Sequence, residues 1–411
     1  VLGSKTRGSR RGWRTVQVAV ALGAAVALTV AGCSSSSSDD TGKKNRSKMV
    51  EFVKSYDGPG LARNYKWGSN GELEKALIWM YKVDPSGEIK PVVQIDSSGK
   101  EVAATDQAAA AKAAGDGKAT CTEQSIAMAG PLTGPNANLG LNIVRGVRLA
   151  LDEFNKANPG CKVTLKEFDT EGNPQKATQV IPTIINDKSI VALIGPTFSG
   201  ETKATGQVLS EANLLALTPS ATNPDLTKNN WKTFFRGLGN DAVQGPAVAK
   251  YLQTSGKYKK VCVVKDNTEY GTGLAKNLTE TLGPIADAGC AADVKEGDKD
   301  FSAVVSKLNS AKPDAIYYAG YYAEAAPLVQ QLRSGGVTAE FISADGTKDV
   351  EFVKQAGNAA TGALLSCPCG PAPDSFASAY KASSGFDAGT YSTEGYDLTT
   401  IVLKGITAAG K

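Results

Sequence analysis

The sequence predicts an α/β protein made of two doubly wound, Rossmann-like lobes. Three observations carry that expectation. From Gln124 onward, short apolar runs alternate with amphipathic stretches, the pattern of repeated βαβ units. The alternation comes as two successive series, divided near Asn240. With 411 residues, 41% apolar and 21% charged, the chain has a globular composition and the length for two domains.

In the first series, 126–129 reads as a strand. Next comes a helix over 141–158, whose Val144, Val147, Leu151 and Phe154 share one face. A strand at 163–168, a helix at 175–187 and strands at 190–194, 214–217 and 233–236 complete it. The second series runs strand 260–264, helix 274–288, strand 292–295, helix 301–310, strand 315–318, helix 323–334 and strand 340–343. In open α/β sheets the ligand crevice lies beyond the carboxyl ends of the strands, so those loops are where a site is expected.

Residues 1–32 are read as an export signal and set aside. Lys5, Arg7, Arg10, Arg11 and Arg14 form a basic head, and 15–30 is an uncharged, mainly apolar run. A helix of that length spans about 24 Å, short of a bilayer core of about 30 Å. The run ends at Ala31-Gly32-Cys33, which resembles the lipobox of bacterial lipoproteins. The resemblance implies cleavage before Cys33, a lipid on its thiol, and a protein held at the outer face of the cell membrane. Ser9-Arg10-Arg11-Gly12-Trp13 leaves both the general and the twin-arginine export routes open. Subtracting the five signal cations from the formal charge of +4 leaves −1 for the remainder, so nucleic acid is not an expected partner. Residues 33–44 read as a polar tether.

Six cysteines remain, an even number suited to an oxidising compartment. Cys121 and Cys161 precede the first two strands of lobe one, and Cys262 and Cys290 stand in the same relation in lobe two. Two sheet-end disulfides are the simplest pairing. Cys367-Pro368-Cys369 fits either a local disulfide near an interlobe crossing or, less readily without any histidine, a metal ligand pair.

The loops carry a series of motifs. They are Ala129-Gly130-Pro131-Leu132-Thr133-Gly134-Pro135, Gly195-Pro196-Thr197-Phe198-Ser199 and Thr218-Pro219-Ser220-Ala221-Thr222-Asn223-Pro224. Phe235-Arg236-Gly237, Asp241-Ala242-Val243-Gln244-Gly245 and Asp266-Asn267-Thr268-Glu269-Tyr270-Gly271 follow. Lys299-Asp300-Phe301, Tyr318-Ala319-Gly320-Tyr321 and Ala344-Asp345-Gly346 complete the series. In order and spacing they resemble the leucine/isoleucine/valine-binding proteins, the type I periplasmic-binding family. That resemblance implies two lobes joined by three crossings, closing on a small solute for delivery to an ABC permease.

Carried over by motif, Ser199 and Thr222 would hold a ligand carboxylate. The Ser220 carbonyl, Thr222 and Asp345 would hold an ammonium, and Tyr270 and Tyr321 would close from lobe two. Leu139 and Phe198 would wall the pocket. The chemistry is consistent, since a helix start at Ser199 favours an anion and an acidic side chain favours a cation. This chain has Asp345 where the family typically has Glu, and Leu139 where several relatives have an aromatic residue. Each position has a plainer reading. Ser199 could be an N-cap, Thr222 and Asp345-Gly346 turn residues, and the tyrosines packing alone.

Residues 45–93 do not read as a linker. An amphipathic helix at 49–56, a Gly58-Pro59-Gly60 turn and an apolar strand at 76–83 resemble the family's C-terminal end. Either that piece has been permuted or transposed to the front of the chain, or an independent hairpin has been appended. Residues 94–120 are expected to be a linker, its Ala/Gly/Lys/Asp-rich stretch from Asp96 able to reach about 80 Å when extended. Lobe one is then 121–240 plus 371–411, and lobe two 241–370.

With no histidine in the chain, His-based triads and His-ligated metal sites are excluded. There is no Gly-x-Ser-x-Gly elbow and no Walker loop. The expectation is a non-enzymatic receptor for a zwitterionic, aliphatic amino acid, with no cofactor and no metal. A binder of an amide, urea or aromatic acid, and a sensor module of a receptor, are the alternatives.

Overall fold

The computed structural model describes residues 36–103 and 112–409, with side chains from residue 44 onward. The export signal and Cys33 lie outside the described residues. Lobe one is a five-stranded parallel sheet in the order Phe234–Arg236, Leu215–Thr218, Ile190–Ile194, Gln124–Gly130, Val163–Asp169. Central strands covered on both faces need apolar side chains throughout. Ile190–Ile194 reads Ile-Val-Ala-Leu-Ile, and all five are buried.

Lobe two is an eight-stranded mixed sheet. Its parallel part runs Ala292–Val294, Val261–Asp266, Ala315–Ala319, Glu340–Ser343, Leu364–Cys367. Beyond Leu364–Cys367 lie three antiparallel strands from the front of the chain, Ile78–Val83, Ile89–Ile95 and Glu101–Val102. The 76–83 run thus pairs into the lobe-two sheet, with Met80 opposite Ser366 and Trp79 opposite Cys367.

Two expectations for the front of the chain need correction. The polar tether does not stop before a short helix; one helix, Ser36–Lys54, runs through most of it. Met49, Val50 and Val53 are buried and dock this helix on the protein. Nor are 94–120 a free linker. Ile89–Ile95 turns back into Glu101–Val102, and further on the Ala113 and Ala119 N–H groups bond Tyr396 Oη at 3.2 Å and Asn158 Oδ1 at 3.0 Å. A compositional reading misses this because isolated alanines and glycines can dock through their backbone.

The helix Ser36–Lys54 belongs to lobe one. Its Met49 packs beside Gly405 of helix Ser392–Ala409. Buried Arg46 donates to the carbonyls of Ile185, Asp187 and Ile190 at 2.9–3.0 Å, capping the end of helix Pro174–Asn186.

Among the described residues, the chain crosses between the lobes at 68–77, 237–241 and 367–373. These crossings converge on Gly239, where an added Cβ would sit 2.9 Å from Ala76 Cβ and 3.5 Å from Pro368 Cβ. Cys121–Cys161, Cys262–Cys290 and Cys367–Cys369 are disulfide-bonded. The Cys-x-Cys pair is therefore a local disulfide at a crossing rather than a metal ligand pair. No helix among the described residues is long and apolar enough to cross a membrane.

Candidate ligand-binding cleft

The lobes are closed on one another. Asn138 and Asn142 of lobe one donate to Asp349 of lobe two at 2.7 and 3.1 Å. Asn223 Nδ2 donates to the Glu269 carbonyl at 2.8 Å, and Lys203 pairs with Glu269 at 2.6 Å. Inside this seam the Phe198 and Tyr321 rings meet across the lobes, centroids 4.4 Å apart, and Tyr321 continues to Tyr270 at 5.0 Å. Phe198, Tyr270 and Tyr321 are buried in one apolar cluster that also contains Leu139.

Ser199 opens helix Ser199–Glu211 but does not cap it. The cap position is Phe198, whose N–H is held by Glu201 Oε2 at 2.7 Å. The Ser199 hydroxyl instead accepts from Asn223 N–H at 3.2 Å, which keeps its own proton for donation. Ser220 Oγ donates to the Thr197 carbonyl at 2.6 Å, tying the two lobe-one loops together. Thr222 Oγ1 is buried without a hydrogen-bond partner.

Asp345 is the centre of the lobe-two side. Oδ1 accepts from Gln244 Nε2 at 2.8 Å and from Tyr270 Oη at 3.0 Å, and Oδ2 accepts from Tyr391 Oη. Burial pushes its carboxyl above the ordinary range, and the Tyr391 and Gln244 donors oppose that.

Three residues outside the motif-based site join it here: Asp241, Gln244 and Tyr391. Asp241 and Gln244 lie one turn apart at the start of helix Asp241–Thr254, and so share a face. Both Asp241 oxygens, Gln244 Oε1 and Tyr317 Oη are buried without partners. Burial, reinforced by the facing charge of Asp345, pushes Asp241 well above its ordinary value. The Asp-x-x-Gln spacing was visible in the sequence. Tyr391 was not, because its contact depends on a backbone φ of 68° just before helix Ser392–Ala409.

Two α/β lobes closed on a buried seam that gathers hydroxyls, aromatic rings and the Asp345 carboxylate form the architecture of a small-solute receptor. The chain belongs to the periplasmic binding protein family, whose pattern matches residues 123–411. It is a family of extracytoplasmic solute-binding proteins, not of enzymes. The chain is 32% identical over 296 residues to the leucine-, isoleucine-, valine-, threonine- and alanine-binding protein of Pseudomonas aeruginosa, covering 70% of this chain and 78% of that one. It is 34% identical over 293 residues to a Leu/Ile/Val-binding protein of Rhizobium johnstonii, covering 70% and 79%. Among solved structures it is similar to the branched-chain amino acid transporter substrate binding protein of Streptococcus pneumoniae, in complex with isoleucine. That match has 25% identity and a TM-score of 0.61, over 69% of this chain and 88% of the other. A leucine binding protein of Thermotoga maritima matches with 27% identity and a TM-score of 0.62, over 70% and 84%.

The buried acids give the fold a pH dependence of definite sign. Burial pushes Glu201 and Asp397 up to about 7, from ordinary values of 4.5 and 3.8. Between those limits the folded state holds protons that the unfolded chain has lost, so stability falls as pH rises. Thermal unfolding is expected at a higher temperature at pH 5 than at pH 8. Glu201→Gln should flatten that difference; an unchanged slope would show that Glu201 titrates normally.

Proposed function

We propose that this protein is the lipid-anchored receptor of an ABC importer and closes on a zwitterionic amino acid, most simply an aliphatic one. The observation that carries the reading is the polarity of the closed cleft. Ser199, Thr222 and the helix start at Ser199 suit a carboxylate. Asp345, with the Ser220 carbonyl and Thr222, suits an ammonium. Leu139, Phe198, Tyr270 and Tyr321 wall the space between them. The unpartnered oxygens of Asp241 and Gln244 add acceptors for a donor-rich cation beside Asp345. The names of the relatives point the same way.

Calorimetry against L-leucine, its decarboxylated amine and its deaminated acid tests the ligand. The amino acid should bind and both truncated forms should fail, since each leaves one end of the site unpaired. Tight binding of a plain carboxylic acid or an amide, with no response to any amino acid, would refute the ligand class while leaving the uptake role standing.

Anchoring is proposed through a lipid on Cys33, with the membrane subunits of a permease as the protein partner. Cys33→Ser should move the protein from the membrane fraction to the soluble one. Each buried lipid methylene contributes about 0.8 kcal/mol that serine cannot replace. Retention of the variant in membranes would sink the anchor. We further propose that the front segment is the family's C-terminal piece in a relocated position. Its pairing of Ile78–Val83 with Leu364–Cys367 and its location outside the matched residues support this.

A further inference from the structure

The front segment reaches further into the site than sheet completion requires. Arg236 ends the edge strand of lobe one and is fully buried. One edge of its guanidinium holds Glu72, Nε to Oε2 and Nη2 to Oε1, both at 3.0 Å. The other edge holds the loop of the proposed site, Nη2 donating to the Asn223 carbonyl at 2.9 Å and Nη1 to the Ala221 carbonyl. Those two carbonyls flank Thr222.

The segment also fixes the backbone of Arg236. Its N–H donates to the Gly71 carbonyl at 2.9 Å, and its carbonyl accepts from Trp67 Nε1 at 2.7 Å. Gly71 permits the approach, since it has a φ of +80° and a Cβ there would lie 2.2 Å from the Phe234 carbonyl oxygen. Thr227 donates to Glu72 Oε1 at 2.8 Å and holds the carboxylate in place. Burial works against the charge of Glu72, yet the Arg236 cation beside it prevails and keeps its carboxyl below the ordinary range.

We infer that Glu72 is a positioning residue for the ligand. By pinning one edge of Arg236 it fixes the other edge, and with it the orientation of the Ser220–Thr222 backbone and hydroxyls toward the cleft. A bidentate guanidinium–carboxylate pair suits this because its plane is fixed by two bonds rather than one. The front segment therefore belongs to the binding machinery, and its docking and ligand occupancy are coupled in both directions. This rests on the amino-acid reading of the site.

The test is titration of the full-length protein with L-leucine. Glu72→Gln should weaken binding about tenfold, in line with other residues that act through a neighbour. Glu72→Asp, which keeps the charge, should recover part of the loss. Glu74→Gln is the control, because Glu74 lies on the same segment but pairs with exposed Lys66, at 3.4 Å. It should bind like the wild type. Should Glu72→Gln fail to fold by circular dichroism, Thr227→Val carries the same test with a smaller expected loss. Equal weakening by Glu74→Gln, or wild-type affinity in Glu72→Gln, or in Thr227→Val where it stands in, overturns the inference alone. A wild type that binds no amino acid overturns the ligand reading and this inference together.

Discussion

Asp345→Ala is expected to weaken amino-acid binding by about two decades or more. The carboxylate is the one to which Gln244, Tyr270 and Tyr391 all donate, and it is 3% exposed. Truncation removes the counter-charge of the ligand ammonium and takes the acceptor from Tyr270 and Tyr391, while Gln244 keeps only its bond to Ser366, at 2.9 Å. Thr222→Ala deletes a single neutral hydroxyl, a matter of about 1 kcal/mol, or roughly fivefold in affinity. Calorimetry on both variants reads the ordering directly. Asp345→Asn separates charge from shape, and binding as tight as wild type in that variant would show that no cation sits there.

Removing residues 45–93 is expected to abolish folding. Met49, Val50, Val53, Tyr65, Trp67, Ile78, Met80 and Tyr81 are all at most 5% exposed. Losing several such side chains, at about 1.5–3 kcal/mol each, exceeds a typical net stability of about 5–15 kcal/mol. The deletion would also open the edge of Leu364–Cys367 and strip buried acids of their partners. Asp397 accepts from the Leu61 and Ala62 N–H groups at 2.7 and 2.8 Å and from Tyr65 Oη at 3.1 Å. Loss of near-ultraviolet circular dichroism and of a cooperative melt is the expected readout. A deletion variant with the wild-type melting temperature and affinity would make the segment an appendage.

How much of this was legible in advance varied with the kind of interaction. Strands such as Ile190–Ile194 declared themselves, because burial on both faces leaves an unmistakable apolar run. So did the antiparallel strand Ile78–Val83, whose composition was strand-like wherever it paired. The loops of the cleft were found through motifs rather than through periodicity. Asp241, Gln244 and Tyr391 stayed hidden because their roles come from facing groups far along the chain. The Gln244–Asp345 bond, for example, spans 101 residues. Ser199 looked like an N-cap by composition, and only the geometry of Phe198 and Glu201 frees its hydroxyl for another task. The extent of helix Ser36–Lys54 was missed because a Ser/Asp run has low intrinsic helix propensity and is carried by the docked turns that follow.

The seating of helix Ser36–Lys54 on lobe one has a mechanical consequence. Arg46 and Met49 fasten that helix to the sheet and helices of lobe one. With a lipid at Cys33, just ahead of the helix, lobe one would be the fixed jaw, held in a set orientation above the bilayer. Lobe two would then be the travelling jaw, swinging about the point where the crossings meet at Gly239 without dragging the anchor behind it.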